Sequence, residues 1–178
     1  MNTVRIVGGE MRSRVISFPD AVGLRPTPDR VRETLFNWLG QTLYGKTCLD
    51  LFAGSGALGF EAASRGAERV VMLERNRLVC RALQENIKKL GCTNVFAHCQ
   101  DGLEFVSRNT QRYDLIFLDP PFDSDCLPGL QEILPQHLSN EGMIYLESGA
   151  EIDVLSTWES VKSGKAGQVR YQLLRCRK

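Results

Sequence analysis

From Lys46 to Glu147, short apolar runs alternate with amphipathic segments, and this alternation restricts the fold more than any other feature of the sequence. The apolar runs predict five strands, at 47–52, 69–74, 94–98, 113–118 and 142–147. Strands that alternate with helices pair in parallel, because each crossover helix packs on one face of the sheet. Residues 157–162 and 168–175, around Ser163-Gly164-Lys165, predict an antiparallel hairpin at one edge. The expected fold is therefore α/β, with a mostly parallel seven-stranded sheet and helices on both faces.

The residues before this alternation predict an amino-terminal extension and one further helix. Residues 1–26 are expected to form an arm or hairpin. Thr27 is the expected N-cap of the helix, with Pro28 at its first position and Asp29 in its first turn. Gly40 should end this helix after Leu39. The chain of 178 residues suits a single domain at 27–178 preceded by the arm at 1–26.

Composition limits the environment and the chemistry. Apolar residues make up 43% and charged residues 24% of the chain, as in ordinary globular proteins. No apolar run approaches the roughly 20 residues that span a bilayer, and the first residues lack the core of a signal peptide, so a cytoplasmic protein with no membrane partner is expected. The six cysteines include no C-x-x-C pair, and the two histidines lie far apart, so no metal site is expected.

A glycine-rich turn follows the first strand of the alternating region. Gly54, Gly56 and Gly59 have the G-x-G-x-x-G spacing of dinucleotide-binding folds, in which the backbone comes close to a ligand. Glu74 ends the second strand, where an acid accepts hydrogen bonds from ribose hydroxyls. The turn therefore predicts a ligand with an adenosine-like ribose.

Two cofactor classes fit this turn, namely a nicotinamide dinucleotide and S-adenosylmethionine. Asp50, just before the turn, would repel a pyrophosphate and attract the amino group of a sulfonium cofactor, so it favours S-adenosylmethionine. Asp101 follows the third strand and precedes Gly102. It is equally well explained as the acceptor of an adenine amino group or as a plain helix N-cap.

The loop Asp119-Pro120-Pro121-Phe122 follows the fourth strand, at the sheet edge where such folds place their chemistry. The Asp119 carboxylate and the Pro120 carbonyl can accept hydrogen bonds from a flat NH₂ group, and Phe122 offers a ring face for stacking. Taken alone, the loop is equally well explained as a proline-rich turn. With a cofactor site predicted one strand away, an amine-binding loop becomes the favoured interpretation.

These motifs resemble those of a known class of enzymes. Residues 50–59, Glu74, Asp101 and residues 119–122 are similar to the ordered motifs of class I S-adenosylmethionine-dependent methyltransferases with a Rossmann-like domain. The stretches 5–9 and 24–39 resemble the amino-terminal segment of the RsmD-type family. This resemblance implies methylation of the exocyclic N2 of one guanine, position 966 by the family's convention, in bacterial 16S ribosomal RNA.

The motifs and the resemblance predict two sets of site residues. The expected catalytic residues are Asp119, Pro120, Pro121 and Phe122. The expected cofactor-binding residues are Asp50, Phe52, Ala53, Gly54, Ser55, Gly56, Gly59, Glu74, Arg75, Gln100, Asp101, Gly102 and Asp119.

Charge along the chain indicates a polyanionic partner. The net charge is only +1, but basic residues cluster near both ends. The predicted RNA-binding residues are Arg12, Arg14, Arg25, Thr27, Arg30 and Arg32. Arg30 and Arg32 lie two apart on a helix and cannot both face one direction, so an ion pair of one of them with Glu33 or Asp29 is the alternative.

Several functions stay open at the level of sequence. Methylation of adenine N6 in DNA or RNA would use the same four-residue loop, and only the amino-terminal resemblance favours guanine. A nicotinamide oxidoreductase would share the glycines and Glu74 but has no use for residues 119–122. A non-catalytic, cofactor-binding ribosome assembly factor is the third alternative. The expected partner is 16S ribosomal RNA within the assembled small subunit, and the expected oligomeric state is a monomer.

Overall fold

A seven-stranded sheet forms the centre of the computed structural model, which describes residues 1–121, 124–151 and 153–178. The strands are β1 (Asn2–Arg5), β2 (Val15–Phe18), β3 (Thr47–Asp50), β4 (Arg69–Leu73), β5 (Val95–His98), β6 (Tyr113–Leu118), β7 (Leu138–Ser148), β8 (Trp158–Ala166) and β9 (Val169–Cys176). The helices are α1 (Asp29–Trp38), α2 (Ala57–Ser64), α3 (Arg77–Leu90), α4 (Gly102–Arg108) and α5 (Leu127–Ile133), the last followed by a 3₁₀ turn at Leu134–His137.

The sheet confirms the predicted topology. Its strand order is β5-β4-β3-β6-β7-β9-β8. Strands β3 to β7 pair in parallel, whereas β9 pairs antiparallel with both β7 and β8. The chain runs outward from β3 to β5 on one side and then returns to β6 on the other. Such a reversal leaves a crevice at the carboxyl ends of β3 and β6, which is where α/β folds bind ligands.

Two hydrophobic cores cover the two faces of the sheet. On one face, Phe117 and Tyr145 pack with residues of α1, α2 and α3, including the fully buried Phe36. On the other face, Leu118 and Trp158 pack with residues of α4 and α5. Side chains alternate between the two faces, as the two-residue period of a strand requires. The first core contains residues 48, 115 and 117, and the second contains residues 116 and 118.

The first two strands form a hairpin that is part of the main core. Ile6, Ile16 and Phe18 are buried there. Asn86 of α3 fixes β2 in register, because its Oδ1 accepts from the Ser17 amide at 3.1 Å and its Nδ2 donates to the Ser17 carbonyl at 2.7 Å. The amino-terminal hairpin is thus docked on α3 rather than extended into solvent.

The start of α1 differs from the prediction. Asn76 caps α3 as its sequence suggests, but Pro28 occupies the N-cap position of α1, and no side chain caps that helix. Thr27 is buried, and its hydroxyl donates instead to Glu147 Oε2 at 3.3 Å. The prediction of Thr27 as N-cap is wrong because a long-range partner takes its hydroxyl.

The carboxyl-terminal hairpin turns three residues later than expected. Ala166 pairs with Val169, so the two-residue turn is Gly167-Gln168, with Gly167 at φ +60°. Gly164 lies within β8 and faces Tyr171, whose ring would stand 2.5 Å from a Cβ at that position. This glycine therefore marks a close approach within a strand and not a turn.

Two other boundaries shift. The helical stretch expected at 127–138 ends at Ile133, and Pro135 in the 3₁₀ turn has no amide hydrogen with which to continue an α-helix. Strand β7 begins at Leu138 instead of 142, and its pairing with β6 shifts register between Tyr113 and Leu115. Within the three described ranges, no helix is long and apolar enough to cross a membrane.

Candidate active site at the carboxyl edge of the sheet

Five acidic residues lie at one edge of the sheet, because parallel strands end on the same side. Each stands at or just beyond the carboxyl end of a strand, and together they are Asp50, Glu74, Asp101, Asp119 and Glu147. The sequence predicted the first four. Glu147 was missed as a site residue, although it ends the fifth predicted strand just as Glu74 ends the second.

The glycine-rich turn is held against β4 by Glu74. One carboxylate oxygen accepts from the Gly54 amide at 3.1 Å, and the other accepts from the Asn76 amide at 2.7 Å. Gly54 and Gly56 have positive φ angles of 51° and 81°, which only glycine adopts readily. The same turn carries Phe52, Ala53 and Ser55 at the start of α2.

Close packing surrounds these glycines. A Cβ on Gly54 would lie 2.8 Å from a methyl of Leu24, so the segment before α1 passes over the turn. A Cβ on Gly59 would lie 2.5 Å from the sulfur of Met72, so this third glycine brings α2 close to β4. The roles are those of the first and third glycines in dinucleotide-binding folds.

Asp50 presents an unsatisfied buried carboxylate oxygen beside the turn. The side chain is 1% exposed, and its Oδ1 has no hydrogen-bond partner among the described residues. Burial raises the pKa of Asp50 to about 7, and the negative charge of Glu74 adds to the effect, against backbone hydrogen bonds from Phe52 and Gly59. An ammonium group placed there would supply the missing partner and stabilise the carboxylate.

Asp101 caps α4. Its Oδ1 accepts from the amides of Leu103 at 2.9 Å and Glu104 at 3.1 Å. The N-cap interpretation is therefore correct, and an adenine amino group would have to use the other oxygen.

Gly102 packs so tightly against the end of β3 that a Cβ would lie 2.5 Å from the Leu51 carbonyl oxygen. The half-buried Gln100 lines a cleft of about 480 Å³ beside α4, and Arg75 is exposed.

The proline loop begins as predicted. Strand β6 ends at Leu118, Asp119 is half-buried, Pro120 is buried and Pro121 is exposed. The Pro121 carbonyl accepts from the Ser124 amide at 3.0 Å and from its hydroxyl at 2.8 Å. Phe122 lies outside the described residues.

Burial raises the pKa of Asp119 well above its usual range, and the negative charges of Glu147 and Asp50 raise it further.

Glu147 sits in a hydrogen-bonded network one strand from Asp119. Its Oε2 accepts from the Tyr145 hydroxyl at 2.9 Å and from the Thr27 hydroxyl at 3.3 Å. These donors link the end of β7 to the segment just before α1. Burial raises the pKa of Glu147, whereas both hydrogen bonds act in the opposite direction.

Two of the predicted RNA-binding residues are structural. Arg32 is fully buried, and its guanidinium donates to Glu61 at 3.0 Å, to the carbonyls of Arg5 at 2.9 Å and Thr27 at 3.1 Å, and to Asp29. Thr27 is also buried. Neither side chain can reach a phosphate, because Arg32 is enclosed between α1, α2 and the hairpin and the Thr27 hydroxyl is turned inward to Glu147, so these two predictions are wrong.

The other predicted RNA-binding residues are exposed. Arg14 donates to the carbonyls of Lys89 at 3.2 Å and Leu90 at 3.4 Å, and so caps the carboxyl end of α3. Arg12, Arg25 and Arg30 form no ion pair with any described residue. Among the predicted residues, these three have the freest guanidinium groups for a polyanion.

The strand order, the antiparallel final hairpin and the glycine turn with its acids define a class I methyltransferase fold. The family model described as "Conserved hypothetical protein 95" matches residues 4–175, and the chain belongs to this family. It is 40% identical over 175 residues to "Ribosomal RNA small subunit methyltransferase D" of Escherichia coli K12, covering 96% of this chain and 88% of that one. The corresponding protein of Haemophilus influenzae is 38% identical, covering 96% and 92% of the two chains.

Solved structures agree with the family assignment. The structure titled "Putative methyltransferase yhhF from Escherichia coli" superposes with a TM-score of 0.89 at 39% identity and covers 98% of both chains. The hypothetical protein TTHA0928 of Thermus superposes with a TM-score of 0.81 at 27% identity, covering 96% of this chain and 98% of that chain.

The residues present fit S-adenosylmethionine. The unsatisfied Oδ1 of Asp50 suits the amino group of the methionine part. Glu74 keeps carboxylate lone pairs beyond its two backbone hydrogen bonds, which suits ribose hydroxyls. Gly54 and Gly56 hold the positive φ angles of the turn, and a Cβ on Gly56 would lie 2.6 Å from Leu83, so glycine is required there to keep the turn in this shape.

Proposed function

We propose that this protein transfers a methyl group from S-adenosylmethionine to the exocyclic N2 of a guanine in bacterial 16S ribosomal RNA, the position numbered 966 by convention. The observation that carries the proposal is the position of Asp119 and Pro120 at the end of β6, the strand next to the glycine turn of β3. The names of the family's small-subunit methyltransferases support the ribosomal substrate.

The cofactor-binding residues orient the methyl donor. In the proposed complex, Asp50 holds its amino group, Glu74 its ribose and Asp101 its adenine, with Gln100 and Gly102 beside the ring. S-adenosylmethionine supplies an electrophilic methyl carbon. The glycine turn lets this ligand lie against the backbone, and Leu24 above Gly54 helps to exclude water from that side.

The proline loop positions the amino group. The target guanine leaves its stack, because its amino group must meet the methyl carbon in line. The Asp119 carboxylate and the Pro120 carbonyl accept its two hydrogens, which aims the nitrogen lone pair at the methyl carbon. Phe122 is proposed to stack on the base, a contact worth about 1–3 kcal/mol.

Positioning is the main catalytic term in this proposal. The amine is a weak nucleophile, since its lone pair is conjugated with the ring, whereas the methyl donor is already reactive. Near-attack geometry can lower a barrier by about 7–11 kcal/mol. Pro120 and Pro121 suit this role, because each proline ring restricts the backbone directly after Asp119.

Exposed arginines are proposed to hold the RNA backbone, in particular Arg12, Arg25 and Arg30. Arg25 stands two residues before Thr27, whose hydroxyl bonds Glu147 at the site. The substrate is proposed to be the assembled small subunit, which places the protein in the bacterial cytoplasm.

Labelled S-adenosylmethionine and small subunits lacking the modification test the proposal. The expected result is label at one guanine of 16S ribosomal RNA, mapped by nuclease fragments. Subunits that already carry the modification are the control and should accept no label. Label on an adenine, or on no ribosomal nucleotide, would contradict the proposal.

A further inference from the structure

Asp119 and Glu147 stand side by side at the ends of adjacent strands. Leu118 of β6 pairs in parallel register with Leu146 of β7, so the two acids are the next residues along each strand. Neighbouring strands lie about 4.8 Å apart, and paired residues of parallel strands point to the same face. This face also carries Phe117 and Tyr145, and Asp50 lies level with Phe117 on the next strand.

Among the residues that the structure describes, the groups that face this pair bring no positive charge. Asp50 approaches from β3, Tyr145 lies two residues before Glu147, and Tyr171 of β9 pairs with Glu147 across the sheet. Thr27 approaches from the segment before α1. None of the ion pairs formed within the described ranges includes Asp119 or Glu147.

The two carboxyl groups differ in their hydrogen bonds. Glu147 receives hydroxyl donors from Tyr145 and Thr27, and such donors favour its charged form. Asp119 receives no hydrogen bond from a described residue. A proton that arrives at the pair is therefore better placed on Asp119, while Glu147 stays a carboxylate.

We propose that Glu147 is a positioning residue for the methyl transfer, and that its fixed negative charge makes Asp119 the acceptor of the proton that the amino group loses. The inference rests on the proposed function and extends it. The charge acts because two adjacent carboxylates repel each other, so the protonated form of Asp119 is favoured.

Methyl transfer to the amine forms one bond and breaks two. The nitrogen lone pair forms the new N–C bond, and the electron pair of the breaking C–S bond goes to sulfur. The N–H bond then breaks, its electron pair stays on nitrogen, and the proton goes to the Asp119 carboxylate. Glu147 exchanges no atoms in this step.

Glu147→Gln tests the inference, because the amide oxygen can keep the hydrogen bonds from Thr27 and Tyr145 while the charge is removed. Two readouts follow the same carboxyl group. The first is the carboxyl ¹³C titration of Asp119 in the labelled protein without RNA. The second is the acid limb of the pH profile of kcat/KM for methyl transfer. Both midpoints are expected to move to lower pH by about one unit or more, as for carboxylates that lose a like charge.

Two further variants separate charge from structure. Glu147→Asp keeps the charge but shortens the side chain, so the Asp119 midpoint should stay closer to wild type than in Glu147→Gln. Glu159→Gln removes the exposed carboxylate that pairs with Arg175 on β8 and β9, and it should move neither midpoint. If Glu147 were merely structural, the Asp119 midpoint would move in neither variant. Glu147→Asp, with its shorter side chain, would then lose more activity than Glu147→Gln.

An Asp119 midpoint that is the same in wild type and Glu147→Gln would overturn the inference. If Glu147→Gln does not fold, a Glu147→Asp midpoint that lies a full unit or more below wild type would overturn it, since the charge is kept. The ¹³C titration needs no RNA, so it decides this inference separately. Failure of the wild-type protein to methylate ribosomal RNA would instead contradict the proposed function.

Discussion

Two regions of this molecule bury charged side chains, and they do so in opposite ways. Beneath the amino-terminal hairpin, Glu61 is surrounded by partners. It accepts from Arg32 and Arg65 at 3.0 Å each and from the amides of Val7 at 3.0 Å and Gly8 at 2.8 Å. At the carboxyl edge of the sheet, Asp50, Asp119 and Glu147 have no basic partner among the described residues.

The paired charges stabilise the fold, whereas the carboxyl groups without basic partners are typical of a functional site. A buried ion pair with all its hydrogen bonds satisfied fixes the relative position of elements, here the hairpin, α1 and α2. Buried carboxyl groups without cations have raised pKa values and unused lone pairs, as functional sites often do. Substitutions in the first region should therefore change stability, and substitutions in the second should change catalysis or pH dependence.

Arg32→Ala should destabilise the fold, because it leaves the buried Glu61 carboxylate with only one of its two guanidinium partners and leaves the carbonyls of Arg5 and Thr27 without their donor. We expect the free energy of unfolding to fall by about 3–5 kcal/mol. Denaturant unfolding measures this change. Arg30→Ala removes an exposed guanidinium two residues away and should change stability by less than about 0.5 kcal/mol. Similar losses of stability in the two variants would contradict the structural role of the buried ion pair between Arg32 and Glu61.

Asp119→Ala should leave the fold intact and reduce methyl transfer by about 10²–10³-fold, the usual cost of a lost group that orients or stabilises the reacting centre. Affinity for S-adenosylmethionine, measured by calorimetry, should not change. Asp125→Ala removes an exposed carboxylate from the same connection and serves as the control. An equal loss of cofactor affinity and turnover would assign Asp119 to the cofactor site instead.

Asp50 should make the protein less stable as the pH rises from about 4 to 7. Its pKa is near 3.8 in the unfolded chain and about 7 in the fold, so only the folded form keeps the proton in this window. Such a group lowers the free energy of unfolding by at most about 1.4 kcal/mol per pH unit. Asp50→Asn cannot titrate there, so its stability relative to wild type should increase from pH 4 to pH 8. A difference in stability between Asp50→Asn and wild type that stays constant from pH 4 to pH 8 would show that the pKa of Asp50 is not raised in the fold.

Arg25→Ala should have the smallest effect, since it removes one exposed cation. RNA affinity should fall a few-fold, and the slope of log affinity against log salt should become shallower by about 0.7–0.9. Arg108→Ala removes an arginine that already pairs with Glu104 at 2.9 Å and is the matched control. An unchanged salt slope in Arg25→Ala would remove the segment before α1 from the RNA-binding surface.

The sequence predicts the elements that local signals determine. The apolar runs predict the five parallel strands of the sheet, the hairpin pattern predicts the two antiparallel ones, and Asn76 and Gly91 mark the ends of α3 correctly. The glycine turn and its acid are recognisable because their spacing follows from the fold. Asp101 as an N-cap is likewise a local feature, with both donors within three residues.

Long-range pairing could not be predicted in the same way. Arg32 and Thr27 belong to a basic, polar segment that is typical of an RNA-binding surface, yet their partners Glu61 and Glu147 lie 29 and 120 residues away in the sequence. Whether a charge is exposed or neutralised depends on which elements pack against it. Glu147 was missed for the same reason, since its donors Tyr145 and Thr27 meet only in the folded protein.

The sheet edge that carries Asp50, Asp119 and Glu147 is proposed to be the site where the N2 of a guanine is methylated. Nucleoside mass spectrometry of 16S ribosomal RNA tests it most directly, after unmodified small subunits are incubated with the protein and S-adenosylmethionine. We predict one equivalent of N2-methylguanosine with the wild-type protein and, over the same short incubation, no more than about 1% of that amount with Asp119→Ala. N6-methyladenosine, or no methylated nucleoside, would contradict the account.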